Sequence, residues 1–178
     1  AAAMDQQQVL YFTEEAFDDF YVGKGSTYPD VQGSIGILFE QASSRGHLQD
    51  SINGPLSFKT TIDQQILMSQ STMRGALALK TELQQTQAQF FREAEQAAKV
   101  DPVQGYFVGD DGDKTRLNAF LSLLSQHDIQ AYAVNKDVQQ QGQLLREGHS
   151  CDIPWKERQC RLIEAAFSTG ANFKDNTF

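Results

Sequence analysis

The sequence predicts an α/β protein, and three observations lead to that fold class. A continuous apolar run at 34–39 (SIGILF), bounded by turn residues, is typical of a buried sheet strand. Apolar residues then recur every three or four positions over 61–98 without a proline, the pattern of a long amphipathic helix. After Asp101-Pro102, a strand, a helix and a strand follow one another over 105–135, which is the spacing of a βαβ unit.

The first forty residues are predicted to contain two strands joined by long loops. Residues 8–13 (QVLYFT) form a short predicted strand, and 14–21 could form one helical turn. Loop-forming residues then accumulate at Gly23, Gly25, Ser26, Pro29 and Gly33. The apolar run at 34–39 follows as the second strand, and it ends on the carboxylate of Glu40.

The long helix is predicted to begin at Thr61, because Gln64 three residues later completes a capping box. Gly75 is its weakest position, and it could divide two helices or admit a close neighbour. The helix ends before Asp101-Pro102, so a boundary is predicted near residue 100, between a domain at 1–100 and a domain at 101–178.

The second domain is predicted to be a small flavodoxin-like βαβ segment. Strands at 105–109 (GYFVG) and 131–135 (AYAVN) should lie side by side and parallel, with the helix at 114–126 packed across them. That helix would pack through Leu117, Phe120, Leu121 and Leu124. The polar stretch at 139–148 is turn-like, and a strand at 149–153 and a helix at 157–167 complete the chain.

The composition excludes some classes of partner. The 178 residues carry a net charge of −8 with no lysine or arginine cluster, which disfavours binding to nucleic acid. No apolar run approaches the roughly 18–20 residues of a membrane span, so no membrane partner is expected. Cys151 and Cys160 could pair in an exported protein, although two such cysteines are more often free thiols.

Glu40 is the candidate for chemistry that the residues themselves suggest. A carboxylate at the end of a rigid buried strand meets the positional demand on a general base. Arg45, five residues later, could hold a substrate carboxylate through a bidentate contact. The alternative is that Glu40 caps a turn or pairs with Arg45 at a strand end, which is the more frequent role of such a residue.

A family resemblance gives Glu40 a specific role. The segment at 12–47, with FYVGKGS, SIGILFE and SSRGH in that order, resembles the last quarter of the catalytic domain of zinc metallocarboxypeptidases. The resemblance implies a carboxypeptidase-type mixed sheet, with Glu40 as the general base that activates a zinc-bound water. It also implies that Tyr21 contacts the substrate, with Tyr28 as second choice.

The zinc ligands of that family are missing from this sequence. The family uses a His-x-x-Glu pair and a later histidine, all upstream of the catalytic glutamate. His47 and His149 each have aspartate at the third position, and both follow Glu40. His127 ends a predicted helix, where it suits a cap. The resemblance implies zinc in the parent enzyme, the longer protein of which this chain would be a part. No metal ligand is expected in this chain itself.

The second domain has a resemblance of its own. Three of its segments resemble the region that follows the peptidase domain in large bacterial zinc carboxypeptidases: GYFVGDDGDKTRLNAFLSLLSQHDIQAYAV, GHSCDIPWKERQCRLIEAAF and FKDNTF. That region is related in fold to class I glutamine amidotransferases. A cysteine on a nucleophile elbow is absent from the sequence, so this domain is expected to be catalytically silent. Asp113 is expected to cap the helix at 114–126 rather than to bind a cation.

The resemblances imply a function for the parent protein. It would remove C-terminal residues from peptides, so its substrate would be a peptide with a free C-terminus. This chain would have the remainder of the catalytic domain as its partner. A periplasmic or secreted location would follow, and this chain would be inactive alone. The alternative hypothesis is a non-enzymatic α/β module that binds a ligand or buttresses the peptidase domain.

Overall fold

The computed structural model describes residues 1–13, 21–110 and 112–170, which form two compact units. The first unit contains the described residues of Ala1–Asp30 together with Ser34–Thr86. The second contains Val31–Gly33 and the described residues of Gln87–Asn176. The two units divide inside a helix, whereas residue 100, the predicted boundary, is where that helix ends. Helices and antiparallel sheets occur together, so the α/β class is confirmed.

The first unit is mainly helical and includes one hairpin. Its elements are α1 (Ala2–Gln6), β1 (Leu48–Ser51), β2 (Gly54–Ser57) and α2 (Phe58–Ala78). β1 and β2 pair antiparallel, with Ser51 opposite Gly54 at the turn. Gly54 has φ +100, a backbone conformation that residues with a side chain seldom adopt, and it allows the tight turn. The hairpin leads directly into α2.

The helical structure predicted over 61–98 is confirmed, but it consists of two helices that together extend a few residues further at each end. α2 is followed after Leu79 by α3 (Lys80–Val100). The interruption lies at Leu79 and not at Gly75, whose carbonyl accepts the Leu79 N–H at 2.9 Å. The predicted start at Thr61 is wrong, because Ser57 is extended and its Oγ accepts the Thr60 N–H at 3.1 Å. Ser57 therefore caps the helix.

The two strands predicted in the first forty residues are wrong. Residues 9–13 and 35–40 lie outside every helix and strand. A strand needs hydrogen-bond partners, and within the described ranges no strand pairs with either segment. The apolar side chains of the second segment are 39–59% exposed, namely Ile35, Ile37, Leu38 and Phe39. Of the predicted helical turn at 14–21, residues 14–20 lie outside the described residues.

The second unit contains a three-stranded sheet. Its elements are β3 (Gly105–Gly109), α4 (Lys114–Gln126), β4 (Tyr132–Ala133), β5 (Val138–Gln140), β6 (Gln143–Leu145), β7 (Ser150–Pro154) and α5 (Cys160–Phe167). The sheet order is β3-β7-β4, and β7 is antiparallel to both neighbours. β3 and α4 have the predicted bounds. Asp113 caps α4 as predicted, since its Oδ1 accepts the Arg116 N–H at 3.0 Å.

The prediction of adjacent parallel strands is wrong. β3 and β4 lie in one sheet and run in the same direction, but β7 lies between them. Burial explains this order, because Ile153 of β7 is fully buried whereas Tyr132 of β4 is 57% exposed. The strand with the most buried side chains takes the central position. The stretch predicted as turn-like is the β5–β6 hairpin, closed by Gln141 and Gly142, both at positive φ.

The second unit buries apolar side chains from its sheet and from its helices. Leu117 and Leu124 of α4 are buried, as predicted for the packing face of that helix. Ile163 of α5 is fully buried in the same unit. The Tyr106 ring of β3 stacks on Phe167 of α5 with 4.6 Å between centroids. These contacts join α5 to the sheet, although α5 begins three residues later than the predicted residue 157.

Candidate functional site

A groove of about 800 Å³ in the first unit is the candidate functional site. One wall is the loop at 41–47, which follows Glu40 directly. The other wall is one face of α2. Its lining residues on that helix are Phe58, Thr61, Ile62, Gln65, Ile66, Ser69, Gln70 and Met73.

Local hydrogen bonds fix the conformation of the loop wall. Ser44 is buried, and its Oγ donates to the Gly46 carbonyl at 2.7 Å. The Arg45 N–H donates to Ser43 Oγ at 3.1 Å. Arg45 has φ +46, a conformation that a residue with a side chain seldom adopts, and Gly46 follows at φ +117. The Phe58 N–H donates to the His47 carbonyl at 3.0 Å, which ties the loop to the start of α2.

The structure brings one of the three predicted site residues into the groove. Arg45 lines it. Glu40 is exposed and precedes Gln41, the first lining residue, but it does not stand at a strand end as predicted. Tyr21 is 67% exposed and lies outside the lining of the groove, with its ring over Gly23. Tyr28, the second choice for the substrate-contacting tyrosine, is half-buried.

Sequence reasoning missed the apolar wall of the groove. Phe58, Ile62, Ile66 and Met73 lie along one face of α2 and are 41–67% exposed. The signal was the recurrence of Ile62, Ile66 and Met73 in the amphipathic pattern, which indicates a helix but not what its apolar face contacts. Phe58 lay outside the predicted helix, so it could not be counted with them.

The histidines and cysteines do not gather into a metal site. Across residues 1–13, 21–110 and 112–170, no three His, Cys, Asp or Glu side chains are grouped so as to hold a metal ion. Cys151 on β7 and Cys160 at the start of α5 are free and buried, and burial raises the pKa of both thiols. Buried, mostly protonated thiols are poor nucleophiles.

The acidic loop before α4 is a capping turn. The Asp110 carboxylate accepts the N–H groups of Gly112 and Asp113, each at 2.9 Å. It also pairs with the Arg116 guanidinium, whose Nε lies 2.7 Å from Oδ2. The hydrogen bond from Arg116, with those from the two N–H groups, lowers the pKa of Asp110. Its oxygens are engaged by the protein itself, which leaves little capacity for a cation.

We expect Asp110 to contribute stability at neutral pH that is lost in acid. Its pKa is lowered in the folded state, so the contribution is present above the unfolded value of about 3.9 and disappears as the pH falls through the folded value. An NMR titration of the Asp110 carboxyl should therefore have a midpoint below that of free aspartate. Arg116→Gln should move the midpoint back upward, and an unchanged midpoint in that variant would contradict the assigned cause.

Within the described ranges no helix is both long and apolar enough to pass through a membrane. No family model, curated protein or solved structure matches this chain.

Proposed function

We propose that this chain is part of the catalytic domain of a zinc metallocarboxypeptidase, with Glu40 as its general base. The observation that carries the proposal is the order FYVGKGS, SIGILFE and SSRGH over 12–47. The substrate is a peptide with a free C-terminus, and Tyr21 and Arg45 contact it. The remainder of the catalytic domain completes the site.

The exposed apolar segment at 35–39 supports this proposal. Four of its side chains are 39–59% exposed although their composition suits a buried strand. A strand of this kind is stable when neighbouring strands pair with it and a second layer covers it. The rest of a carboxypeptidase-type sheet would supply both, and it would place Glu40 at a strand end.

The described residues do not fit a zinc site, because no three potential ligands are grouped. In this proposal the zinc ligands come from polypeptide outside these 178 residues, since the sequence has no histidine before Glu40. What this chain supplies is the base. Glu40 accepts a proton from the water that attacks the scissile carbonyl, and it returns a proton to the leaving amine. Arg45 orients the substrate by its carboxylate.

Peptide hydrolysis by two proteins would test the proposal. A polypeptide that includes the coding sequence upstream of Ala1 should release C-terminal residues from peptides, lose this activity to a chelator and regain it with zinc. The isolated 178-residue chain should neither cleave the peptide nor hold stoichiometric zinc. One tightly bound zinc in the isolated chain, or a zinc-loaded longer protein without carboxypeptidase activity, would contradict the proposal.

A further inference from the structure

We propose that two copies of this chain form a dimer through an exposed apolar face of α2, with the two helices antiparallel. This face, which we call the apolar stripe, consists of Ile62, Ile66, Met73 and Leu77. The occupant of the stripe is the same helix of a second copy, related to the first by a two-fold axis. Such a dimer would form whether or not Glu40 is a catalytic base.

The apolar stripe is exposed although α2 also packs against its own unit. The four side chains of the stripe are 41–75% exposed. Their spacing places them within about 60° of one another around the helix axis, at 3.6 residues per turn. Met68 and Ser71, roughly 150° away, are half-buried, and α1 and β2 contact the helix. Covering a second apolar face of α2 removes surface from water and therefore favours association.

The spacing of the stripe is the same from either end of the helix. Its residues are separated by intervals of four, seven and four positions. A two-fold axis through the middle of the stripe therefore places Ile66 of one copy opposite Met73 of the other, and Ile62 opposite Leu77. A two-fold dimer uses the same patch on both chains. This symmetric spacing makes the stripe complementary to itself and favours a second copy as its partner.

Two charged residues beside the stripe favour the antiparallel arrangement. Asp63 and Arg74 are exposed, lie outside the lining of the groove, and flank the stripe on the same side of α2. Equivalent flanks face each other in an antiparallel pair, so Asp63 of each copy approaches Arg74 of the other. A parallel pair would place these flanks on opposite sides of the interface. Flanking ion pairs of this kind determine the orientation of paired helices.

Both charged residues can form this contact without giving up a buried partner. The Asp63 carboxylate pairs with Lys59 at 2.5 Å, and both side chains of that pair are exposed. Arg74 Nη2 lies 3.4 Å from Gln70 Oε1 at an equally exposed position. Exposed ion pairs contribute little free energy individually. The apolar stripe therefore provides most of the affinity, and the charges provide the orientation.

Sedimentation equilibrium of the 178-residue chain would test the proposal, because a dimer of this kind dissociates on dilution. Ile66→Ser should weaken dimerisation about tenfold or more, since each dimer loses the apolar contact twice. Ile52→Ser makes the same substitution at a fully exposed position in the β1–β2 turn and should leave the equilibrium unchanged. Circular dichroism should show the same helicity in both variants.

Charge reversal tests the orientation of the two helices. Asp63→Arg and Arg74→Asp should each weaken the dimer by roughly fivefold or more, because like charges then face each other twice. The double variant Asp63→Arg/Arg74→Asp keeps the net charge and again places opposite charges across the interface, so it should dimerise like the wild type. Three results would overturn the proposal: a monomer at every concentration, a dimer that Ile66→Ser leaves intact, and a double variant no better than the single ones.

Discussion

Replacing Glu40 by glutamine is expected to lower kcat for release of a C-terminal residue by about 100- to 10,000-fold. The change is made in the longer polypeptide that the proposed function requires, which would contain the zinc ligands. Glutamine keeps the shape and the hydrogen-bonding reach of glutamate but cannot accept the proton of the attacking water. Steady-state kinetics on a peptide substrate measure the effect, with zinc content and thermal unfolding recorded alongside.

Two variants of the same enzyme serve as comparisons. Glu82→Gln makes the same substitution at an exposed position on α3 and should leave kcat unchanged. Tyr21→Phe should lower kcat roughly tenfold or less, since one hydrogen bond is worth about 1 kcal/mol. A Glu40→Gln enzyme with near-normal kcat would remove Glu40 from the mechanism. Glu40 would then be interpreted as a residue that caps a turn.

Leu124→Ala is expected to lower the free energy of unfolding of the second unit by about 2–5 kcal/mol. Leu124 is 4% exposed in the core of that unit, so alanine leaves a cavity there. Leu123→Ala is a matched control, because it makes the same substitution at the neighbouring position of α4 and so changes helix propensity equally. Leu123 is 49% exposed, and its loss should cost about 1 kcal/mol or less.

Urea unfolding followed by tryptophan fluorescence measures both variants. Trp155 is the one tryptophan of the chain and is buried in the second unit, where its ring lies 6.0 Å from that of Tyr106. Its emission therefore reports the unfolding of this unit. Similar unfolding midpoints for the two variants would contradict the position assigned to α4 in the core.

Local signals allowed several elements to be predicted from the sequence. β3 and α4 have the predicted bounds, because a proline at 102 and the Asp113 cap define where regular structure starts. Both signals act within a few residues of the element they define. The helical character of 61–98 was equally clear, since its apolar spacing extends over many turns.

Features that depend on distant partners could not be predicted in this way. The position of β7 between β3 and β4 depends on which strand buries the most side-chain surface in the assembled unit. The segment at 34–39 has a strand-like composition, but among the described residues no strand pairs with it. Arg45, a candidate binding residue from the sequence, lines the groove, whereas the apolar residues that line it on α2 lie further along the chain.

The central position of β7 also determines the order in which this unit can form during translation. β3 and β4 each pair with β7 and not with each other, yet both emerge from the ribosome before Ser150–Pro154. At synthesis rates of about 5–20 residues per second, β3 remains unpaired for a few seconds until β7 is synthesised. Its unpaired edges are then open to other chains. The sheet can therefore close only after translation of this part of the chain is nearly complete.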